Sequence, residues 1–141
     1  MTARFQSVFR DGLFSGQAGI VTGAGSGIGR CTAHELAALG ARVALVGRKP
    51  EKLDKVREEI AAAGGSATTH ACDIRDEEQV CSTVDAILAA HGRIDGLVNN
   101  AGGQFPAPLR DISLKGWDAV VRTNLSGGFL MARECYRRWM E

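Results

Sequence analysis

The chain has 141 residues, enough for one domain with a sizeable buried core and too few for two. Its 17 Lys and Arg stand against 16 Asp and Glu, a balance that offers nucleic acid or an anionic membrane no electrostatic handle. The four cysteines (Cys31, Cys72, Cys81, Cys135) are scattered, with no Cys-x-x-Cys pair and no His at ligand spacing, so reduced, mostly buried thiols of a cytoplasmic protein are expected and a metal site is not.

The leading MTARFQSVFRDGLF is broken by charge too early for a secretory signal, and no apolar run in the sequence is long enough to span a bilayer. Residues 17–22 (QAGIVT) form a short apolar run that ends in a glycine cluster, the pattern of a buried strand. Over residues 28–39, Ile28, Ala33, Leu36 and Leu39 fall near helical spacing, and Gly40 is a good stop. Residues 41–46 (ARVALV) predict a second buried strand, after which Pro50 opens a helix with Leu53, Val56 and Ile60 on one stripe, closed by Gly64 and Gly65. Residues 67–72 predict a third, more polar strand. Asp76 with Gln79 three residues on has the form of a capping box, and Val80, Val84, Ile87 and Leu88 carry that helix to Gly92. Residues 94–98 predict a fourth strand running into Asn99 and Asn100. A looser stretch with Pro106 and Pro108 follows over residues 101–112, and from Ser113, a plausible N-cap, a long helix runs towards Arg138.

Four strands alternating with helices make the pattern of a parallel sheet covered on both faces. Right-handed crossovers narrow this to a doubly wound α/β sheet, a Rossmann fold, with strand order 3-2-1-4 within this chain. No linker or composition shift divides the sequence, so residues 1–141 are expected to be the N-terminal portion of one such domain.

The loop at residues 22–29 reads TGAGSGIG, directly after a predicted strand and directly before a predicted helix, and that context gives a weak glycine pattern its force. Gly23 lets the chain leave the strand in a tight turn, Gly27 lets a pyrophosphate approach the backbone, and Gly29 lets the helix pack on the sheet. Gly25, Ser26 and Ile28 complete the loop, whose free N–H groups and helix dipole favour an anion. About 20 residues on, folds that bind NAD place an acidic residue for the ribose 2′-OH. Here the site reads Val46-Gly47-Arg48-Lys49, with no carboxylate to repel a 2′-phosphate and a planar cation at Arg48 to take one. The cofactor expected is NADP(H).

The TGxxxGIG loop, together with Asn99-Asn100-Ala101-Gly102 after the fourth strand, resembles the short-chain dehydrogenase/reductase family. The resemblance implies that this NNAG turn stabilises the central sheet and lines the adenine-ribose side of the cofactor, with Asn100, Ala101 and Gly102 as contacts. From the residues alone, paired Asn at a strand end satisfy loose backbone groups, and the two readings are compatible. Asp73 and Ile74, at the end of the third strand, match the family's adenine-contacting position. Residues 124–129 (NLSGGF) resemble its NxxGxF segment, which implies for Asn124 the Asn place in a catalytic tetrad of Asn, Ser, Tyr and Lys, holding a water that links the Lys to bulk solvent. Asn is a poor residue for a helix interior, so its place inside a long helical pattern calls for a reason.

In the family, the tetrad Ser lies on a fifth strand and Tyr-x-x-x-Lys on the helix after it. Neither falls within this sequence: Tyr136 is followed by Arg137, Arg138, Trp139 and Met140, so no Lys lies one turn on. Tyr136 is not expected to be the catalytic acid, and the 141-residue chain alone is expected to be inactive. His34, His70 and His91 fall on or beside separate elements and suggest surface or packing roles.

Within the family, the stretches Gly102-Gly103-Gln104-Phe105, Lys115-Gly116-Trp117 and Trp139-Met140 are similar to the trans-2-enoyl-CoA reductase branch, from which Ala101 departs where glycine is usual. The whole chain is also similar to the bacterial citronellol/citronellal dehydrogenase branch. Gln104 and Phe105 are the substrate-side candidates, with ordinary loop packing an equal reading for Phe105. The resemblance therefore implies NADP(H)-dependent hydride transfer, first to a 2-enoyl-CoA type of substrate and second between a terpenoid alcohol and its aldehyde. A third reading is a cofactor-binding fragment without activity. The expected partners are a small acyl-CoA or terpenoid substrate and, as in the family, further copies of the chain in a homo-oligomer; nucleic acid and membrane are not expected. An open edge beside the fourth strand and an apolar face on the last helix predict an isolated chain prone to association.

Overall fold

The computed structural model describes residues 7–141, so the reading of the leading segment lies in part outside the described residues. Four strands, β1 (Ala18–Thr22), β2 (Arg42–Gly47), β3 (Ser66–Ala71) and β4 (Gly96–Val98), form one parallel sheet in the order β3-β2-β1-β4. Class and order are those the alternation of elements predicts. Side chains that alternate along a strand divide the core in two. Val21, Val43 and Leu45 face α1 (Gly27–Ala38) and α2 (Pro50–Ala62), where they meet Ala33, Leu53, Val56 and Ile60. Ile20, Ala44 and Val46 face the other way, towards Val80, Val84 and Ile87 of α3 (Glu77–His91) and Met131 further on. Both faces of β1 and β2 are thus covered, which is why those strands read as nearly continuous apolar runs. β3 is an edge strand and only partly buried, which accounts for its polar sequence.

Several boundaries and one stripe differ from the sequence reading. Ile28 is 79% exposed, because the first turn of α1 stands beyond the strand ends; the buried side of that helix is Gly29, Ala33 and Ala37. β4 has three residues rather than five. Ahead of it, Asp95 is held to β1 from both ends, its N–H donating to Ala18 O at 2.8 Å and its carboxylate accepting the Ala18 N–H at 2.7 Å. At α3, Asp76 accepts from the Gln79 N–H at 3.1 Å, but the reciprocal bond of a capping box is redirected: Gln79 Oε1 accepts from the Asp73 N–H at 3.0 Å. All four cysteines are free; Cys72 and Cys135 are buried while Cys31 is exposed, so burial holds for half of them.

The long helix is one rod from Leu114 to Met140 made of unlike pieces. After the Ser113 cap, which accepts the Gly116 N–H at 3.1 Å, come α4 (Leu114–Val121), a π-helical stretch (Arg122–Gly127), α5 (Gly128–Cys135) and a second π-helical stretch (Tyr136–Met140). Arg133 pairs with Glu77 and Arg138 with Asp85, tying the rod to α3. Between those arginines lies Glu134, 2% exposed; burial opposes its charge, but the hydrogen bonds from Arg133 and Arg138 outweigh it and hold the carboxyl below its usual range. Among the described residues no helix is long and apolar enough to cross a membrane.

Candidate functional site

A cavity of about 340 Å³ opens at the carboxyl ends of the strands, on the side where the strand order reverses between β1 and β4 and ligands of open α/β sheets bind. Nine of the residues singled out from the sequence line it. Gly23, Gly25 and Ser26 come from the loop after β1, Arg48 follows β2, and Asp73 and Ile74 follow β3. Asn100, Ala101 and Gly102 come from the turn after β4.

The floor is a polar knot. Thr22, fully buried at the end of β1, accepts the N–H groups of Asn100 at 3.0 Å and Ala101 at 2.9 Å on its hydroxyl and donates to Val98 O at 3.3 Å. Asn100 returns its side-chain amide to Thr22 O at 2.9 Å. The glycine loop is packed onto this knot: a Cβ on Gly29 would lie 2.3 Å from Gly23 O and 2.5 Å from Asn100 Nδ2. That contact, more than loop flexibility, explains the last glycine of the motif. The role of Thr22 was not read from the sequence; its position as the first letter of TGxxxGIG, ending a buried apolar strand, was the available signal.

The charge of the cavity is one-sided. Arg48, Lys49, Lys52 and Arg75 all line it, and the one carboxylate among them is Asp73. That carboxylate is already engaged: Arg75 donates Nε to Oδ1 at 2.9 Å and NH2 to Oδ2 at 2.5 Å, and its backbone N–H to Oδ1 at 3.0 Å. The side-chain bonds to Arg75 chiefly hold the Asp73 carboxyl at about 2, against the opposing effect of burial. Lys49, Lys52 and Arg75 were not singled out from the sequence, since Lys residues at a helix start and an Arg two residues past a strand pass for solvated charges. Lys52 is brought in by Gly25, where a Cβ would stand 2.9 Å from Lys52 Cβ.

The remaining candidates lie beside the cavity rather than on its wall. Asn124 sits in the π-helical stretch with its side chain turned to the NNAG loop, Oδ1 accepting the Gly103 N–H at 2.8 Å and Nδ2 donating to Gly103 O at 2.9 Å. This pairing answers why an Asn stands inside the long helix. Three residues on, Gly127 permits close approach to β3's end: a Cβ there would lie 2.7 Å from Ile74 Cδ1. Gln104 is exposed, and the Phe105 ring, itself exposed, rests on Gly116 within 2.8 Å of where a Cβ would be. His70 and His91, on separate elements, meet at Thr68, whose hydroxyl is 2.8 Å from the Nε2 of each, while His34 lies 3.1 Å from Glu59.

These features fit a dinucleotide phosphate group. Ser26 leaves the start of α1 without a side-chain cap, so its first N–H groups remain available to an anion. Space is also left at Gly27, where a Cβ would meet nothing within 4 Å. A basic wall completes the donor set.

The model of the short chain dehydrogenase family matches residues 17–141; the chain belongs to that family. Among solved structures, the citronellol catabolism dehydrogenase of Pseudomonas aeruginosa PAO1 is 62% identical with a TM-score of 0.92, covering 96% of this chain and 56% of that one. A metagenomic short-chain oxidoreductase in complex with NADP is 48% identical with a TM-score of 0.80, over 86% of this chain and 55% of the other. A probable 2,4-dienoyl-CoA reductase of Bacillus subtilis is 33% identical over 122 residues, 86% of this chain and 48% of that protein. The chain thus spans about half the length of the relatives it matches.

Proposed function

We propose that the protein carrying this chain is an NADP(H)-dependent oxidoreductase that interconverts a terpenoid alcohol and its aldehyde. The observation that carries the cofactor choice is the end of β2, where Arg48 stands in place of the ribose-binding acid, with Lys49 and Lys52 beside it on the same cavity. A 2′-phosphate is a dianion, and a planar guanidinium among further cations favours it over a hydroxyl. Support for the substrate class comes from the citronellol catabolism relative, similar over nearly the whole chain. The relation to the Bacillus reductase, together with the Gln104-Phe105 stretch, supports a second reading, reduction of a 2-enoyl thioester.

The cofactor, when bound, supplies the hydride chemistry. Our reading gives this chain's residues the tasks of binding and orientation. The open N–H groups at the start of α1 hold the diphosphate, Arg48 takes the 2′-phosphate, and Ile74 and the NNAG turn flank the adenosine. Asn124, the one tetrad position in these 141 residues, holds the loop at Gly103 beside the reacting end. Turnover would draw Ser and Tyr-x-x-x-Lys from outside this sequence, so the 141-residue chain by itself is expected to bind nucleotide without turning over. As in the family's complete members, a homo-oligomer is expected.

Two measurements on the intact protein test this reading. Arg48→Ala should weaken NADPH binding at least about tenfold more than NADH binding, the scale of one charge-assisted contact; equal weakening would refute the cofactor choice. NADP+ reduction by citronellol, set against NADPH consumption with a medium-chain trans-2-enoyl-CoA, separates the two substrate readings. Activity with neither, in a protein that binds NADPH, would leave the binding module alone standing.

A further inference from the structure

The one carboxylate in the cavity is a problem for a site that takes a dianion. Asp73 lies at the end of β3, close enough to Arg48 for their charges to interact, and an unscreened carboxylate there would repel a 2′-phosphate held at Arg48. Arg75 removes the problem. It sits two residues on, lines the same cavity, and covers both oxygens of Asp73 in a bidentate pair. The short spacing forces this geometry, since the Asp73 carboxylate also accepts the backbone N–H of Arg75 and so fixes the turn that presents the guanidinium.

We propose that Arg75 is a specificity-determining positioning residue, which by neutralising Asp73 sets the cavity's preference for a 2′-phosphorylated nucleotide. The proposal rests on the NADP(H) reading above and adds a residue to it that touches Asp73 rather than the phosphate. Its physical content is a difference between ligands. Whatever Asp73 does for the adenine and the 5′-phosphate is common to nucleotides with and without the 2′-phosphate, whereas its repulsion of a dianion held at Arg48 falls only on the nucleotide that carries one. Removing Arg75 both subtracts a cation and leaves a carboxylate bare at the cavity wall, and across a partly solvated distance each change acts against a doubly charged group.

The experiment measures dissociation constants of 2′,5′-ADP and 5′-AMP, which differ only in the 2′-phosphate, by calorimetry on the intact protein and reads their ratio in wild type, Arg75→Gln, Asp73→Asn and the double variant. Wild type should prefer 2′,5′-ADP. Arg75→Gln should cut that preference roughly fivefold to tenfold, mostly by loss of 2′,5′-ADP binding, and the double variant should recover most of it. Should Arg75→Gln fail to fold, Asp73→Asn still decides: with the carboxylate gone and Arg75 released, the preference should sharpen. A ratio unmoved in Arg75→Gln, a double variant no better than the single, or a preference blunted in Asp73→Asn overturns the role of Arg75 while the NADP(H) reading stands. A wild type without preference for 2′,5′-ADP overturns both.

Discussion

The glycine-loop end of the sheet and the Leu114–Met140 rod are built on opposite plans. Around Thr22 every buried polar group has found a partner inside the chain, and the backbone segments touch so closely that Gly29 has no room for a methyl group. Along the rod, by contrast, Leu114, Trp117, Leu125, Phe129, Tyr136 and Trp139 are exposed, although Arg133 and Arg138 tie the rod to α3. One region is complete in itself; the other presents apolar surface that an isolated chain leaves in water. The nucleotide binding we propose would therefore rest on residues already held in place within this chain, whereas the rod's outer side depends on what covers it.

The sharpest way to break that contrast is Gly29→Ala. A Cβ at 2.3 Å from a backbone oxygen cannot be accommodated by a rotamer change, so the loop or the helix must shift. We expect a loss of about 3 kcal/mol in urea unfolding together with loss of nucleotide binding. A variant that melts and binds like wild type would show that the loop is held far less tightly than its contacts say. Thr22→Val comes next. The shape is kept, but the Asn100 and Ala101 N–H groups lose their acceptor in a buried place, at a cost of about 2 kcal/mol, read in the same unfolding experiment.

Much of the first region was legible because its elements agree with one another: apolar runs, glycines at the joints and helix stripes all point to the same parallel sheet. The glycine loop, Arg48 and the NNAG turn could be placed because each follows a strand end, and all strand ends of a parallel sheet meet at one edge. Ile28 shares the helical spacing of Ala33, Leu36 and Leu39 yet is exposed, because spacing alone does not reveal that a first turn overhangs the sheet. Lys52 and Arg75 escaped because their roles come from neighbours distant in sequence, Gly25 above all, and from a turn geometry that spacing does not display. Asn124 stands out in the sequence as an Asn inside a helix, but its partner Gly103 is brought to it by tertiary packing that no spacing displays.

A smaller effect separates the nucleotide end from the part of the fold around β3. His70 and His91 share the Thr68 hydroxyl, and burial first, then a neighbouring positive charge, holds each below the ordinary value of 6.5. Because the folded state favours the neutral rings, the unfolded chain binds more protons as pH falls. Stability is therefore complete above pH 6.5 and declines as pH drops through that value towards the lower folded ones. Replacing both histidines with Gln should flatten the urea midpoint between pH 7 and 5. Asp73 acts in a lower window: held at about 2, it contributes stability above its ordinary 3.8 that is lost as pH falls from there to about 2. A midpoint that rises on acidification from pH 7 to 5 would contradict the histidine assignment.

The smallest change in stability, and the clearest on association, is expected on the rod. Trp117 and Leu125 are 59% and 68% exposed, so changing each to Gln removes little that is packed, and the unfolding free energy of the 141-residue chain should stay within about 0.5 kcal/mol. What should change is self-association, because a run of exposed apolar side chains on one helix is the kind of patch that brings chains together. Sedimentation velocity of the double variant should show less aggregate than wild type at equal concentration. If instead stability fell as far as in Thr22→Val, the rod would be packed in solution, and the contrast between a closed nucleotide end and an open helix would fail. If association were unchanged with stability intact, the open surface would lie elsewhere, and the outer edge of β4, which carries no strand among the described residues, would be the next place to add a charge.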